Sequence, residues 1–130
     1  MQFRIDPSSR QPIYRQLGDQ LREAVARGKI LPDERLPSVR ELSRTLVVNP
    51  NTIARVYTEL EREGLLNTRP GRGVFVASPK TELTKKVRKE RLVELLDHFL
   101  TEAVHLGFSA DEVISLATER AGQFAWQTTD

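Results

Sequence analysis

The chain has 130 residues, 38% of them hydrophobic and 29% charged, which is typical of one soluble globular domain with a short appendage. It has no cysteine, which excludes disulfides and thiolate metal sites, and two histidines, His98 and His105, cannot form a metal site unaided. No apolar run approaches the roughly 20 residues of a membrane span, and the N-terminus lacks a signal-peptide core, so we expect a cytoplasmic protein.

The net charge of +2 is unevenly distributed along the chain. Residues 1–78 hold 13 basic and 9 acidic side chains, whereas residues 79–130 hold 7 and 9. Within the second part, residues 92–130 hold only one basic side chain against seven acidic ones. Nucleic acid attracts the first pattern and repels the second, although ordinary solvated faces give similar counts.

The first predicted helix begins near Pro12 and ends near Gly28, after an alternating segment over residues 3–5 and a turn. Proline suits the first turn of a helix, and glycine is a common C-terminal cap. The apolar residues recur every four positions and form one stripe. They are Ile13, Leu17, Leu21 and Val25.

The second helix is predicted from a capping box, Ser38 followed by Glu41, and it ends by about Val48. Asn49 and Pro50 then suit the N-cap and first position of a third helix, which runs to Gly64. Two short helices joined by such a turn form a helix-turn-helix. In the third helix Ile53, Val56 and Leu60 share an apolar face, while Asn51, Thr52 and Arg55 lie on a polar one.

A basic β-hairpin is predicted directly after the helix-turn-helix. Residues 65–68 and 74–76 have the composition of strands, and residues 69–73, Arg-Pro-Gly-Arg-Gly, form the turn between them. Glycines allow close approach of the backbone, and arginines suit phosphates or the minor groove. We therefore expect a mainly α fold with a small hairpin wing, that is, a winged helix-turn-helix over residues 1–78.

Residues 36–76, LPSVRELSRTLVVNPNTIARVYTELEREGLLNTRPGRGVFV, resemble the winged-helix domain of the GntR family. The short chain, the flanking PIYRQL and the VNPNTIARVYTELEREGL segment resemble its YtrA subfamily in particular. The resemblance implies a dimeric regulator of transcription, usually a repressor. A two-fold dimer presents its recognition helices to two half-sites, so we expect the operator to be an inverted repeat. In the YtrA subfamily the second domain is only about two helices, and the genes often lie beside transporter operons.

The resemblance also implies roles for individual residues. Arg40 falls where the family has a DNA-contacting arginine, Thr52 and Arg55 fall on its DNA-facing side, and Gly71 falls at its wing tip. Pro50 and Ala54 replace arginines of a related branch, so Asn51 and Arg55 become our candidates for binding base edges, because Asn suits adenine and Arg suits guanine. The complete expected set is Ser38, Arg40, Asn49, Asn51, Thr52, Arg55, Tyr57, Arg69, Gly71, Arg72 and Gly73.

Each of these residues also has a plain structural interpretation. Arg40 could pair with a neighbouring carboxylate, and Arg55 could pair with Glu59 one turn away. Asn49 suits a helix cap better than base contact, and Tyr57 could belong to the core. Asp33 occupies a position where glycine is common, which we interpret as a tolerated change in a turn.

Residues 79–130 are predicted to form a tail of two helices, the first from Glu82 to before Gly107 and the second capped by Ser109. The apolar stripe of the first helix is too wide for a lone helix in water. We expect a second subunit to cover it, with packing on the same chain as the alternative. The expected dimerisation residues are Leu92, Leu95, Leu96, Phe99, Leu100, Ala103 and Leu106.

No combination of residues indicates an enzyme, a metal site or a bound cofactor. The glycines at 71 and 73 join two strands, so they are not a dinucleotide-binding fingerprint. A winged helix that binds another protein is the main alternative, although the recognition face of its third helix would then be apolar or acidic. A small-molecule effector stays open, at the dimer interface or near residues 78–80, because the tail looks too small to enclose a metabolite pocket.

Overall fold

The computed structural model describes residues 2–78 and 85–126. The chain divides into two compact units, Met1–Pro79 with Ala125–Asp130 and Lys80–Phe124. We call them the winged-helix unit and the tail unit. The described residues form five helices and one antiparallel hairpin, which confirms the mainly α fold with a small wing.

The winged-helix unit has three helices followed by the hairpin. These are α1 (Ile13–Ala26), α2 (Val39–Leu46), α3 (Pro50–Arg62), β1 (Leu66–Arg69) and β2 (Gly73–Val76). Strand β1 begins one residue later than predicted. The reason is that the Leu65 N–H donates to the Leu60 carbonyl and so completes the C-terminal end of α3.

The caps of α2 and α3 follow the sequence signals in part. The Ser38 hydroxyl accepts from the Glu41 N–H at 3.0 Å, and the Asn49 side chain accepts from the Asn51 N–H at 2.8 Å. Of the two bonds of a capping box at Ser38, the described residues form only this one. Val47 ends α2 in the left-handed conformation, at φ 54° and ψ 50°, which few β-branched residues adopt.

The core of the winged-helix unit draws on all three helices, the loops and both strands. Its buried members are Leu17, Leu21, Ala24, Ile30, Leu36, Leu42, Val48, Ile53, Val56, Tyr57, Leu60, Leu66 and Val76. The hairpin pairs Leu66 with Val76 and Arg69 with Gly73. Residues 33–36 add backbone bonds to the other edge of β2, including the Asp33 N–H to the Val76 carbonyl at 2.8 Å. The sequence predicted a turn in this region without that pairing.

The tail unit consists of α4 (Lys85–His105) and α5 (Ala110–Ala121). Its predicted start at Glu82 and the junction at residues 79–80 lie outside the described residues. Ser109 and Glu112 form a complete capping box at the start of α5, as expected. None of the described helices is both long and apolar enough to span a membrane.

Candidate nucleic-acid interface

Helix α3 separates its apolar and polar residues onto different faces. Ile53, Val56 and Leu60 are at most 1% exposed, because this face packs against α1 and α2. Asn51 and Arg55 are exposed on the opposite side, and Thr52 is half-buried at its edge. An exposed row of amide, hydroxyl and guanidinium groups on one helix matches the hydrogen-bonding edges of bases in a major groove.

Arg55 is exposed but not isolated. Its Nε lies 3.3 Å from the Glu59 carboxylate, so the ion pair of the structural interpretation is formed. Its guanidinium also lies over the Tyr14 ring, 3.7 Å from the ring centroid. The pair with Glu59 contributes little, since the Arg55 side chain is 55% exposed and such pairs are screened by water.

The start of α2 presents a second group of polar atoms. Ser38 is half-buried and its hydroxyl caps the helix. Arg40 is exposed, and within residues 2–78 and 85–126 it forms no ion pair. The expected alternative for Arg40, a neighbouring carboxylate, is therefore not realised among these residues. A phosphate at this position would be attracted both by the positive charge of Arg40 and by the N-terminus of α2.

Tyr57 and Asn49 are occupied by structural roles. Tyr57 is 5% exposed, and its hydroxyl donates to the Pro37 carbonyl at 2.7 Å. Burial, with a smaller contribution from Glu41, raises the pKa of Tyr57 well above its ordinary value of 10. Tyr57 therefore lies away from the polar face of α3 and connects α3 to the start of α2. Asn49 caps α3 while it stays exposed.

The two arginines of the hairpin differ in their surroundings. Arg69 pairs with Asp33 at 2.7 Å and lies 4.1 Å from the centroid of the Phe75 ring, so it braces the hairpin. Asp33 itself has φ 68°, which explains why a glycine suits this position. Arg72 is exposed at the tip and forms no ion pair within the described part of the chain.

The glycines of the hairpin have distinct conformational requirements. Gly71 has φ 74°, and a Cβ atom there would meet open space. Gly73 has φ 120°, and a Cβ atom there would come within 3.1 Å of Arg35 Nε. The tip is thus a narrow turn whose backbone lies open beside Arg72, while Gly73 leaves room for the Arg35 side chain.

Several exposed residues of the same surface were missed from the sequence. Thr58 and Arg62 continue the polar face of α3, and Arg44 lies exposed on α2. The signal was present, because Thr58 follows Asn51 by seven residues, or about two helical turns. Tyr14 was also missed, since its place beside Arg55 depends on the packing of α1 against α3.

The tail unit leaves most of its apolar side chains uncovered. Of the expected dimerisation residues, six are exposed in the single chain: Leu92, Leu95, Leu96, Phe99, Leu100 and Leu106. Ala103 differs, because it is 8% exposed and already covered by its own chain. Among the described residues, no three His, Cys, Asp or Glu side chains are grouped to hold a metal ion.

The tail also holds an open apolar cavity of about 330 Å³. Its lining includes Phe99, Ala103, Phe108 and Val113. The volume lies at the lower end of the range of about 300–1,000 Å³ for metabolite pockets. The cavity is open to solvent, so the expectation that the tail is too small to enclose a metabolite pocket stays a prediction. Gly107, with φ 86°, lies in the bend between α4 and α5.

Residues 13–76 match the model of the bacterial regulatory proteins of the gntR family. A Bacillus subtilis protein, the HTH-type regulator YhcF, is 40% identical over 82% of this chain and 87% of its own length. The repressor YtrA of the same organism is 34% identical over 85% of both chains. The chain belongs to the GntR family. The similarity to YtrA along most of both chains confirms the expected subfamily.

Solved structures support the same assignment. A Listeria monocytogenes protein described as a transcriptional antiterminator covers the whole chain with a TM-score of 0.77 and 29% identity, over 98% of its own length. The DNA-binding domain of AraR in complex with operator ORX1 covers 59% of this chain and 99% of its own, with a TM-score of 0.53 and 32% identity. GntR proteins are DNA-binding regulators and not enzymes, so this chain is a winged helix-turn-helix regulator whose partner is double-stranded DNA.

Proposed function

We propose that this GntR protein is a sequence-specific repressor that binds an inverted-repeat operator as a homodimer in the cytoplasm. In this proposal residues 1–78 bind DNA and residues 79–130 dimerise. Its target is its own operon or a neighbouring one, such as a transporter operon. The observation that carries the proposal is the exposed polar face of α3, flanked by Arg40 on α2 and Arg72 on the wing, two exposed arginines that form no ion pair with any described residue.

The polar face of α3 supplies the base contacts. Asn51 presents an amide whose donor and acceptor match adenine, and Arg55 presents a guanidinium that matches guanine O6 and N7. Thr52, at the edge of the face, suits a thymine methyl or a phosphate oxygen. Tyr57 and Asn49 hold the helix in place rather than contact bases, since both side chains already serve the protein.

Phosphate contacts fix how α3 lies in the groove. Arg40 and the capped N-terminus at Ser38 bind one strand, because a guanidinium and free backbone N–H groups both attract a phosphate. Arg72, with the open backbone of Gly71, binds at the wing. Arg69 and Gly73 act indirectly, since one braces the hairpin through Asp33 and the other gives Arg35 its space.

A homodimer follows from the apolar surface of α4. Side chains such as Leu92 and Leu95, at 65% and 67% exposed, lie in water in the single chain. Burial of apolar surface lowers the free energy by about 25 cal/mol per Å². Packing of a second copy of the chain against this face of α4 is therefore favourable. Two-fold symmetry then places two α3 helices on two half-sites, about 10–10.5 bp apart between centres.

Substitution of two arginines tests whether Arg55 contacts bases and Arg72 contacts phosphate. Arg55→Ala should weaken binding to a selected operator by about 1–3 kcal/mol and hardly change binding to random duplex. Arg72→Ala should weaken both equally and reduce the slope of affinity against salt by about one. Equal losses on both duplexes for both variants would show that Arg55 contacts only phosphate. Failure of the wild-type chain to bind any duplex would favour the protein-binding alternative.

The spacing of half-sites tests the dimer on DNA. Bases are inserted one at a time between the half-sites of the selected operator, and affinity is measured for each duplex. We expect a sharp loss for small insertions, because the two α3 helices then face different sides of the duplex. Affinity that ignores spacing would mean that the winged-helix units bind independently.

A further inference from the structure

Arg55 of α3 is held in a defined orientation by two residues of the winged-helix unit. The Tyr14 ring on the first turn of α1 lies under its guanidinium, with 3.7 Å between the guanidinium carbon and the ring centroid. The Glu59 carboxylate lies 3.3 Å from its Nε. The stack restricts the plane of the guanidinium, and the weaker contact with the carboxylate favours one rotation within that plane.

This arrangement leaves the terminal nitrogens of Arg55 available. Guanidinium has five N–H donors in one plane, and the described contacts use only the donor at Nε. Guanine is bound by two such donors side by side, aimed at O6 and N7. A ring that covers the flat face of the guanidinium does not compete for these donors, whereas a second carboxylate would.

Tyr14 contributes its ring rather than its hydroxyl. The ring is half-buried and packs against the core, and among the described residues the hydroxyl forms no hydrogen bond. A role in stability alone would need only apolar bulk at this position. The cation–π contact needs the π face of an aromatic ring, so the two roles respond differently to substitution.

We infer that Tyr14 is a positioning residue that orients Arg55 for base contact before DNA arrives. An arginine loses much rotamer freedom when it binds a base edge, and the stack removes part of that freedom in advance. The inference rests on the proposed function, because it assigns to Arg55 the specific contact. It adds that a residue of α1, outside the helix-turn-helix, determines part of the specificity.

The first experiment compares two substitutions on the selected operator and on random duplex at the same salt. Tyr14→Leu, which keeps apolar bulk and loses the π face, should weaken operator binding roughly 3- to 10-fold, with less than about 2-fold change on random duplex. Tyr14→Phe keeps the ring and should stay within about 2-fold on both duplexes. Tyr14→Met serves as a second non-aromatic variant if Tyr14→Leu fails to fold.

The second experiment repeats Tyr14→Leu in an Arg55→Ala background. If Tyr14 acts through Arg55, it should then change operator affinity by less than about 2-fold, because coupled contacts are not additive. An equal loss in both backgrounds, or equal loss on both duplexes, would overturn the inference and leave Tyr14 as a brace between α1 and α3. The proposed function fails separately, if the wild-type chain does not discriminate between operator and random duplex.

Discussion

The winged-helix unit and the tail unit differ in how much of their apolar surface they cover themselves. In the winged-helix unit, 13 apolar or aromatic side chains form one buried cluster. In the described part of the tail unit, Ala103 alone among the apolar residues is buried, while large residues such as Leu92, Leu95 and Val104 are at least 65% exposed. The first unit therefore buries an apolar core of its own, whereas the second leaves most of its apolar surface exposed.

The number of elements in each unit explains the difference. The tail unit has only α4 and α5, and residues of α4 near α5, such as Phe99 and Leu106, are still 47% and 70% exposed. Helix α5 buries none of its own described side chains. The winged-helix unit instead places three helices and a hairpin around one centre, so each helix has neighbours on its apolar side. Burial stabilises the first unit, and the exposed apolar surface of the second is the surface that we propose for the homodimer.

The largest expected effect comes from shortening one buried leucine of the winged-helix unit, compared with one exposed leucine of the tail unit. Leu60→Ala, at 1% exposed, should destabilise the chain by about 2–5 kcal/mol, because it leaves a cavity in the core. Leu95→Ala, at 67% exposed, should change stability only in a way that depends on protein concentration. Urea unfolding at two protein concentrations measures both. Equal, concentration-independent losses would mean that α4 is covered within its own chain.

A charge placed on the apolar surface of α4 tests whether that surface forms the dimer. Leu96→Asp should weaken the dimer at least about 100-fold, or roughly 2.8 kcal/mol, because it places an unpaired carboxylate in the proposed interface. Phe99→Asp should act in the same direction. Sedimentation equilibrium measures the dissociation constant.

The matched control for these variants is Thr101→Asp. Residue 101 lies five positions beyond Leu96, roughly 140° around the helix, and is exposed. The dimer should persist in this variant. Persistence of the dimer in Leu96→Asp and Phe99→Asp as well would show that another surface mediates association.

Val47 is an exception within the well-packed winged-helix unit. It is 90% exposed and adopts φ 54°, so its side chain gains little from packing and strains the backbone. Val47→Gly should stabilise the chain by about 1 kcal/mol and raise its Tm by roughly 4–8 °C for a domain of this size. Arg44→Gly in the same short helix should instead cost about 0.8 kcal/mol. If calorimetry finds that Val47→Gly is less stable than the wild type, the positive φ of Val47 does not destabilise the fold.

The smallest effect concerns an exposed ion pair that joins α1 to the end of α3. The Arg22 guanidinium, 2.6 Å from Glu63, holds the pKa of that carboxyl below its ordinary value of 4.5. The pair therefore stabilises the fold above about pH 4.5, and this contribution disappears as pH falls through the lowered pKa. Glu63→Gln should cost only about 0.5 kcal/mol at pH 7, because both side chains are more than a third exposed.

The measurement is the difference in unfolding free energy between wild type and Glu63→Gln at pH 7 and at pH 3. The difference should shrink towards zero at the lower pH. Glu90→Gln on α4 is the control, with no dependence expected from an ion pair among the described residues. A difference that grows on acidification would reverse the assigned sign.

Local signals in the sequence determined the elements and their order. Caps at Ser38, Asn49 and Ser109 act on N–H groups two or three residues away, so they do not depend on tertiary contacts. The period of apolar residues assigned the buried face of α3 in the same way. These signals were enough to predict the winged helix and the apolar stripe of α4. The stripe could be predicted because its position depends only on the periodicity of α4 itself.

Tertiary structure alone decided which polar side chains remain available to DNA. Tyr57 bonds Pro37 across 20 residues, and Arg69 pairs with Asp33 across 36. Arg55 meets Tyr14 on a helix that precedes the helix-turn-helix, and Asp33 and Val47 adopt positive φ where glycine would be expected. Each depends on how elements distant in sequence pack together, because a side chain is buried or paired only by neighbours that the fold brings to it.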